Sequence, residues 1–415
     1  MPSATTQLPS ASLADQADKL EELAVKLTSA AKTMRAGNEP SQKEHDTLVS
    51  TIRNVGNAVH TPLDDVYDTS MAWCKAAAIR LLVDWKVFEN IPESGFIRYQ
   101  DLAEKVGGDA VLIRRVCWVL VATGFLEQRG HDQIGHTSHT RIFANSTTSN
   151  ANASLWMVIC DEWMHPLLAM PDYYEKFGIK EPTGRLHSIK AFGEGQPELT
   201  VAQIMSQHPK RVAHIHLSMP LMDGAYPQTG FYDFSWIADR AAKEPHSRKV
   251  IVDVGGGKGW TLQRIVNENE GIPMERCVLQ DLPGVISFVE KHGDDNIKKA
   301  TLMPIDFHKE QPVQGALVYS VRRCLRDFGD DEAVDILKRV VDAMAPDSKL
   351  LIADTVATNP PSFLVAAIDF FLSTMGGKER TEEEFCNIAV RAGLKVTGVH
   401  YSDIAEFAMI ECEKA

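Results

Sequence analysis

The sequence is poor in the features that would mark several broad classes. Its seven cysteines stand at 74, 117, 160, 277, 324, 386 and 412, an odd number with no C-x-x-C pair. Neither a disulfide framework nor a structural zinc site is expected. No run of 18 apolar residues occurs, so no transmembrane helix and no membrane partner are expected. Met1 to Lys19 lacks a basic stretch followed by an apolar one, so no secretory signal is visible and the cytoplasm is the expected location. Positive charge is also short. Lys plus Arg number 43 against 56 Asp plus Glu, a formal charge of −13. That balance argues against non-specific binding to nucleic acid or anionic membranes. What remains is ordinary: 44% hydrophobic and 24% charged residues over 415 positions, enough for two or three globular domains.

Four regions follow from composition and periodicity. Residues 1–66 hold a Ser/Thr/Ala/Gln-rich tail and then a helical arm. Leu20, Leu23, Ala24 and Leu27 recur at helical spacing, and a second helix is expected from about Glu44 to Val59. Their apolar stripe must bury against something, and a second subunit is one answer. Residues 67–150 read as a winged helix. An apolar helix from Met71 to Trp85 comes first, then a short strand at 95–99. A helix closed by Gly107-Gly108 follows, then a helix from Val111 to Thr123, and two wing strands turn around Gly130. Only Arg114 and Arg115 give the last helix positive charge, so a dimerisation module is favoured over a DNA reader. Residues 151–245 form a helical connector rich in Met and aromatic residues, including Trp163 and Phe231. Such residues usually build core, and here they could also wall an apolar pocket. Residues 246–415 alternate strands (249–254, 278–281, 316–319, 349–353) with helices, which is an α/β, doubly wound, mainly parallel pattern.

The chemistry sits in this last region. Val252-Asp253-Val254-Gly255-Gly256-Gly257-Lys258-Gly259 ends a strand and opens a helix, and Asp281 ends the next strand. Glycines there let a ligand approach the backbone, and a carboxylate at that place holds ribose hydroxyls. The loop is neither a dinucleotide fingerprint nor a Walker loop, and a phosphate-free nucleoside fits equally well.

Taken in order, V-D-V-G-G-G-K-G, L-Q-D-L-P, I-D-F and G-G-K-E-R-T-E-E-E-F resemble the caffeate-type, S-adenosylmethionine-dependent O-methyltransferases, from about Tyr67 to the C-terminus. The resemblance implies a Rossmann-like class I methyltransferase domain behind a helical, winged-helix dimerisation domain, in a homodimer that needs no metal. It implies that Gly255 and Gly257 meet the methionine part of the cofactor. Asp281 would hold the ribose with Leu282 beside the adenine, and Asp306 and Phe307 would bind and stack it. Arg322 stands where the family often has a basic residue near the cofactor.

One departure matters. The family reads L-H-D-W at the start of the helix after the third of the strands read above, and its His is the general base. Here the stretch is Leu325-Arg326-Asp327-Phe328. An arginine cannot act as a base near neutral pH. Glu379, in the intact G-G-K-E-R-T motif, could pair with Arg326 instead of orienting a His. Three explanations stand: methyl transfer through another base, a catalytically dead binding subunit, or chemistry that wants a fixed hydrogen-bond donor. For the third, the chain resembles the leporin-type, fungal O-methyltransferase-like pericyclases of 2-pyridone alkaloid pathways. These keep S-adenosylmethionine unconsumed, dehydrate an alcohol to a quinone methide, and steer a hetero-Diels–Alder or Alder-ene reaction. The resemblance implies a small-molecule polyketide-pyridone substrate. It makes Arg326 and Asp327 the diagnostic pair and His165, in D-E-W-M-H-P, the proton-moving residue. Asp233 and Lys338 are further polar candidates, although a solvated helix position is the plainer reading of Lys338. Met409, on the last strand, is a candidate pocket residue with Trp163 and Phe231.

Overall fold

The computed structural model describes residues 13–37, 39–144, 150–403 and 406–415. The expected N-terminal tail, residues 1–12, lies outside the described residues. Helices Leu13–Arg35 and Gln42–Val59 form the arm. A third helix, Pro62–Asp84, starts well before the expected Met71. Its start is written in Thr61-Pro62-Leu63-Asp64. The Thr61 hydroxyl accepts from the Asp64 amide, the Asp64 carboxylate accepts from the Thr61 amide, and Pro62 takes the first helical position. These helices leave Val25, Ile52, Val59, Leu63, Val66, Met71 and Trp73 exposed.

The winged helix is present. Strand β1 (Ile97–Arg98), helices Tyr99–Val106 and Ala110–Ala122, and strands β2 (Leu126–Arg129) and β3 (Gln133–His136) follow in order. The three strands form an antiparallel sheet in the order β1-β3-β2. Exposed Val111, Leu112 and Trp118 lie on the helix that a DNA reader would present. The connector is helical as expected, with a π-helical turn at Ile159–Met164. Among the described residues no helix is long and apolar enough to cross a membrane.

Seven strands make the main sheet: β4 (Ile251–Val254), β5 (Val278–Asp281), β6 (Thr301–Pro304), β7 (Val318–Arg322), β8 (Lys349–Thr355), β9 (Leu394–Tyr401) and β10 (Phe407–Lys414). Their order is β6-β5-β4-β7-β8-β10-β9. The first five are parallel, and the closing β9–β10 pair is antiparallel. Apolar residues point from both faces. Val252, Val254 and Tyr319 meet Ile336, Leu337 and Phe385 on one side. Ile251, Leu279 and Val318 meet Ile237, Leu262 and Ile286 on the other. Near-continuous apolar strands are what a sheet covered on both faces requires. The chain order reverses across β4 and β7, so a crevice opens at their carboxyl ends.

Candidate active site

The crevice begins at the glycine loop. Gly255 and Gly257 have φ of +70° and +59°, in the left-handed region that favours glycine. A Cβ on Gly255 would stand 2.8 Å from Cys324 Sγ and 3.2 Å from the Phe307 ring, so the loop packs flat against both. A Cβ on Gly257 would meet nothing within 4 Å. Asp281, at the end of β5, accepts from the Gly257 amide at 2.8 Å and the Leu282 amide at 2.7 Å. Leu282 is itself exposed, beside the crevice. Asp253, at the penultimate position of β4, is buried, and its Oδ2 has no hydrogen-bond partner among the described residues. Burial pushes its carboxyl up to about 7, with Arg322 pulling the other way. Arg322 pairs with Asp223, and its Nε and Nη2 lack partners among the described residues.

These features fit the expected cofactor. S-adenosylmethionine carries an ammonium, a carboxylate and two ribose hydroxyls. Beside the loop, Asp253 of β4 offers a buried carboxylate and Arg322 of β7 a guanidinium, both with spare hydrogen-bonding atoms. Asp306 accepts from the His308 amide at 3.1 Å, which turns the chain so that Phe307 lies against Gly255. Among the described residues no cluster of three metal-ligating side chains occurs.

The second wall is the loop after β7. Arg323 adopts φ +54°, unusual for a non-glycine residue. A 3-10 turn at Leu325–Asp327 follows, anchored by fully buried Leu325. The G-G-K-E-R motif clamps this turn. The Lys378 amide donates to the Arg326 carbonyl at 2.9 Å. Buried Arg380 donates to the Leu325 and Phe328 carbonyls and pairs with Asp330. A Cβ on Gly377 would stand 2.4 Å from the Arg326 carbonyl, so a larger residue would break the clamp.

Arg326 is 6% exposed and ion-paired with Glu379, also 6% exposed, as its position in the motif suggests. It reaches Thr355 Oγ1 at 3.5 Å and is also held by Asp354 and Tyr226. Burial among Asp354, Asp369 and Asp327 raises the Glu379 carboxyl, while its ion pair with Arg326 lowers it. Asp327 keeps accessible surface, yet the walls of the crevice crowd it. That desolvation pushes its carboxyl up to about 6, and Arg326 opposes the shift. Cys324 is crowded in the same way, and its thiol is held protonated.

The remaining expected residues divide. Trp163 stacks on Phe371 at 5.0 Å, on the helix Phe363–Ser373. Asp369 of that helix accepts from the Glu379 amide at 2.7 Å, so Trp163 is linked to the crevice. His165, two residues on, is exposed, and no hydrogen bond or ion pair joins it to Arg326. Its turn is held from below: buried Glu162 pairs with Lys190 and Arg211, each at 2.5 Å. Phe231 stands behind Phe407, ring to ring at 5.5 Å.

Three expectations are corrected. Asp233 is exposed and accepts from the Ser235 amide at 2.9 Å, just before a helix. It lines a separate recess of about 430 Å³ with Lys349 and Glu411. Lys349 begins β8, so this recess lies at the end of the sheet opposite the glycine loop. Lys338 is on the solvent side of the helix Asp330–Ala343, 53% exposed and 3.9 Å from Asp335. Met409 is 3% exposed and belongs to the core behind the sheet. Strand alternation puts Phe407 on the same face but one step nearer the crevice, and Phe407 touches Tyr226 and Arg322 instead. Lys338→Ala and Asp233→Ala are each expected to leave turnover and product ratio within about twofold of the parent, checked by product chromatography.

Asp253, Tyr226, Arg323 and Asp354 complete the crevice without having been expected there. Asp253 lies inside the quoted glycine motif. The other three come together only through the fold.

Comparison with known proteins gives a consistent picture. The O-methyltransferase domain family matches residues 242–395. Methyltransferase cfoD of Aspergillus candidus is 32% identical over 392 residues, covering 92% of this chain and 96% of that protein. Methyltransferase pynC of Aspergillus niger is 34% identical over 368 residues, covering 87% and 98%. Among solved structures, OxaC with sinefungin and meleagrin superposes with a TM-score of 0.84 at 21% identity, covering 98% of this chain and 100% of that one. LepI with S-adenosylmethionine superposes with a TM-score of 0.79 at 21% identity, covering 96% and 100%. A structure described as a pericyclic reaction enzyme gives 0.77 at 21%, covering 95% and 100%.

Proposed function

Because this chain belongs to the fungal, S-adenosylmethionine-dependent O-methyltransferase-like family, we propose that it is a pericyclase that uses the cofactor without consuming it. It dehydrates a 2-pyridone alcohol to a quinone methide and steers a hetero-Diels–Alder or Alder-ene cyclisation. The observation that carries the reading is Arg326. A buried guanidinium, fixed by Glu379, stands on the loop where relatives of the caffeate type place their base.

The roles follow from the chemistry of each group. Arg326 donates to the pyridone carbonyl and draws electron density as charge develops there. Asp327, with its carboxyl near 6, exchanges a proton close to neutral pH. His165 is assigned the movement of a proton during water loss. In the dehydration the C–O bond of the alcohol breaks with its electron pair on oxygen. The pyridone hydroxyl gives up its proton, its O–H electrons forming the new carbonyl, and water leaves. The cyclisation then only redistributes electrons, so orientation and exclusion of water are what the pocket supplies. When bound, the cofactor supplies a fixed sulfonium charge in a dry crevice. The exposed apolar positions on the first three helices support a homodimer, in which a second copy covers them.

A second reading, methylation of an aromatic or pyridone hydroxyl through a base other than His, is favoured by the names of relatives such as cfoD and pynC. One experiment separates the two. Purified protein is incubated with S-adenosylmethionine and a dehydratable pyridone alcohol, and both cofactor and products are followed by mass spectrometry. Dehydrated, cyclised product with unchanged cofactor is expected. Stoichiometric S-adenosylhomocysteine with a methylated product would overturn the pericyclase reading.

A further inference from the structure

The end of β7 and the loop after it place three arginines around one crevice. Arg322 pairs with Asp223, its unpartnered Nε and Nη2 being left for the expected cofactor, and Arg326 pairs with Glu379. Among the described residues Arg323 has one carboxylate within ion-pair distance. That group, Asp223 Oδ1, is 3.6 Å away and already taken by Arg322. Its Nη1, the atom nearest Asp223, donates to the Met222 carbonyl at 3.5 Å. The Arg323 Nε is buried and has no hydrogen-bond partner among the described residues. A buried donor left unmade costs free energy, and native proteins keep few of them.

The backbone adds a second, independent sign. Arg323 holds φ +54°, a conformation that costs a non-glycine residue of order 1–3 kcal/mol and persists where neighbours enforce it. Here the Arg323 amide donates to the Ala353 carbonyl at 2.9 Å, continuing the β7–β8 ladder through the turn. The Tyr226 ring then lies 4.3 Å from the guanidinium carbon, beneath its plane. An aromatic face holds a guanidinium in place without using up its N–H donors. Burial beside Arg326 and Arg322 also disfavours its charge, Tyr226 and Asp354 only partly opposing this, and an incoming anion would relieve it.

We infer that Arg323 is a substrate-binding residue that receives a delocalised organic oxyanion, the ionised hydroxyl of a vinylogous acid such as a 4-hydroxy-2-pyridone. The assignment rests on the pericyclase reading for the identity of the acid. It adds a division of labour between two guanidiniums. Arg323 takes the ionised oxygen, and Arg326 polarises the neighbouring carbonyl. The planar fork suits two oxygens of one conjugated system better than a point charge would.

The test uses protein saturated with S-adenosylmethionine and two probes, a 3-acyl-4-hydroxy-2-pyridone and its 4-O-methyl ether. Calorimetry is expected to give the parent chain a preference for the acid of about ten- to hundredfold. Arg323→Gln should collapse that preference to within about twofold, and Arg323→Lys should restore part of it. Cofactor affinity should be unchanged in both. Arg323→Gly, which removes the backbone strain, guards against misfolding and should behave like Arg323→Gln. An acid preference that survives in Arg323→Gln would overturn the assignment. So would a tenfold loss of cofactor affinity, because the guanidinium would then be holding the cofactor's carboxylate. Turnover of the cofactor by the parent chain would sink the pericyclase reading alone, since the acid-over-ether preference is measured without turnover.

Discussion

Arg326→Ala is expected to abolish product control while leaving the cofactor site intact. The guanidinium is buried, its position is fixed by Glu379, and its backbone carbonyl is clamped by Lys378. A donor preorganised in this way needs no rearrangement as charge develops on the pyridone carbonyl. Removing one such donor typically costs a factor of about 10² to 10³ in rate. Product should then approach the mixture formed without enzyme. The proposed cofactor contacts lie on other elements, at Asp253, Gly257 and Asp281, so the dissociation constant of S-adenosylmethionine should stay within about threefold. Arg326→Lys keeps the charge but loses the fork, and should fall between the two. Arg326→His asks the opposite question. It places a titrating group where the caffeate-type enzymes carry their base, beside an intact Glu379. Methyl transfer appearing only in that variant would mean that the crevice can still present cofactor to a hydroxyl. Full stereoselectivity in Arg326→Ala, read by chiral chromatography, would remove Arg326 from the mechanism.

The parts of the molecule legible in the sequence are those whose reasons are local. The glycine loop, Asp281 and the turn at Leu325–Asp327 each follow a strand and carry their own signal. The Arg326–Glu379 pair was also within reach, because both residues stand in recognisable motifs. Arg323 was not. Nothing in Val321-Arg322-Arg323-Cys324 marks a left-handed arginine, whose amide is held by the Ala353 carbonyl of a neighbouring strand. Tyr226 and Asp354 join the site from segments far apart in the chain. Met409 shows a different limit. Period-2 alternation gives the face on which a strand residue lies, but not its depth, and two residues separate the crevice from the core. Lys338 and Asp233 look chemically able, yet one faces solvent and the other sits at the wrong end of the sheet.

Glu379→Leu is the variant expected to cost the most stability. It leaves the Arg326 guanidinium buried, with Asp354, Tyr226 and Thr355 as its remaining partners. Breaking a buried ion pair from one side typically destabilises by about 3–5 kcal/mol, because a charge is stranded away from water. Arg326→Met should cost less, since Glu379 already lies in surroundings that favour its neutral form and can take up a proton. The double variant Arg326→Met/Glu379→Leu puts apolar volume in place of both charges. Replacing both partners together is often neutral or stabilising, so the double variant should be more stable than Glu379→Leu by about 2 kcal/mol or more. Urea unfolding of the three variants at one protein concentration, with cofactor absent, reads the coupling directly. If the double variant is less stable than Glu379→Leu, the pair holds the fold together, and Arg326 is then explained as a structural partner of Glu379. If it recovers stability and yet makes no cyclised product, the chain carries a costly buried guanidinium that its fold does not need, and the crevice chemistry is the remaining reason for it.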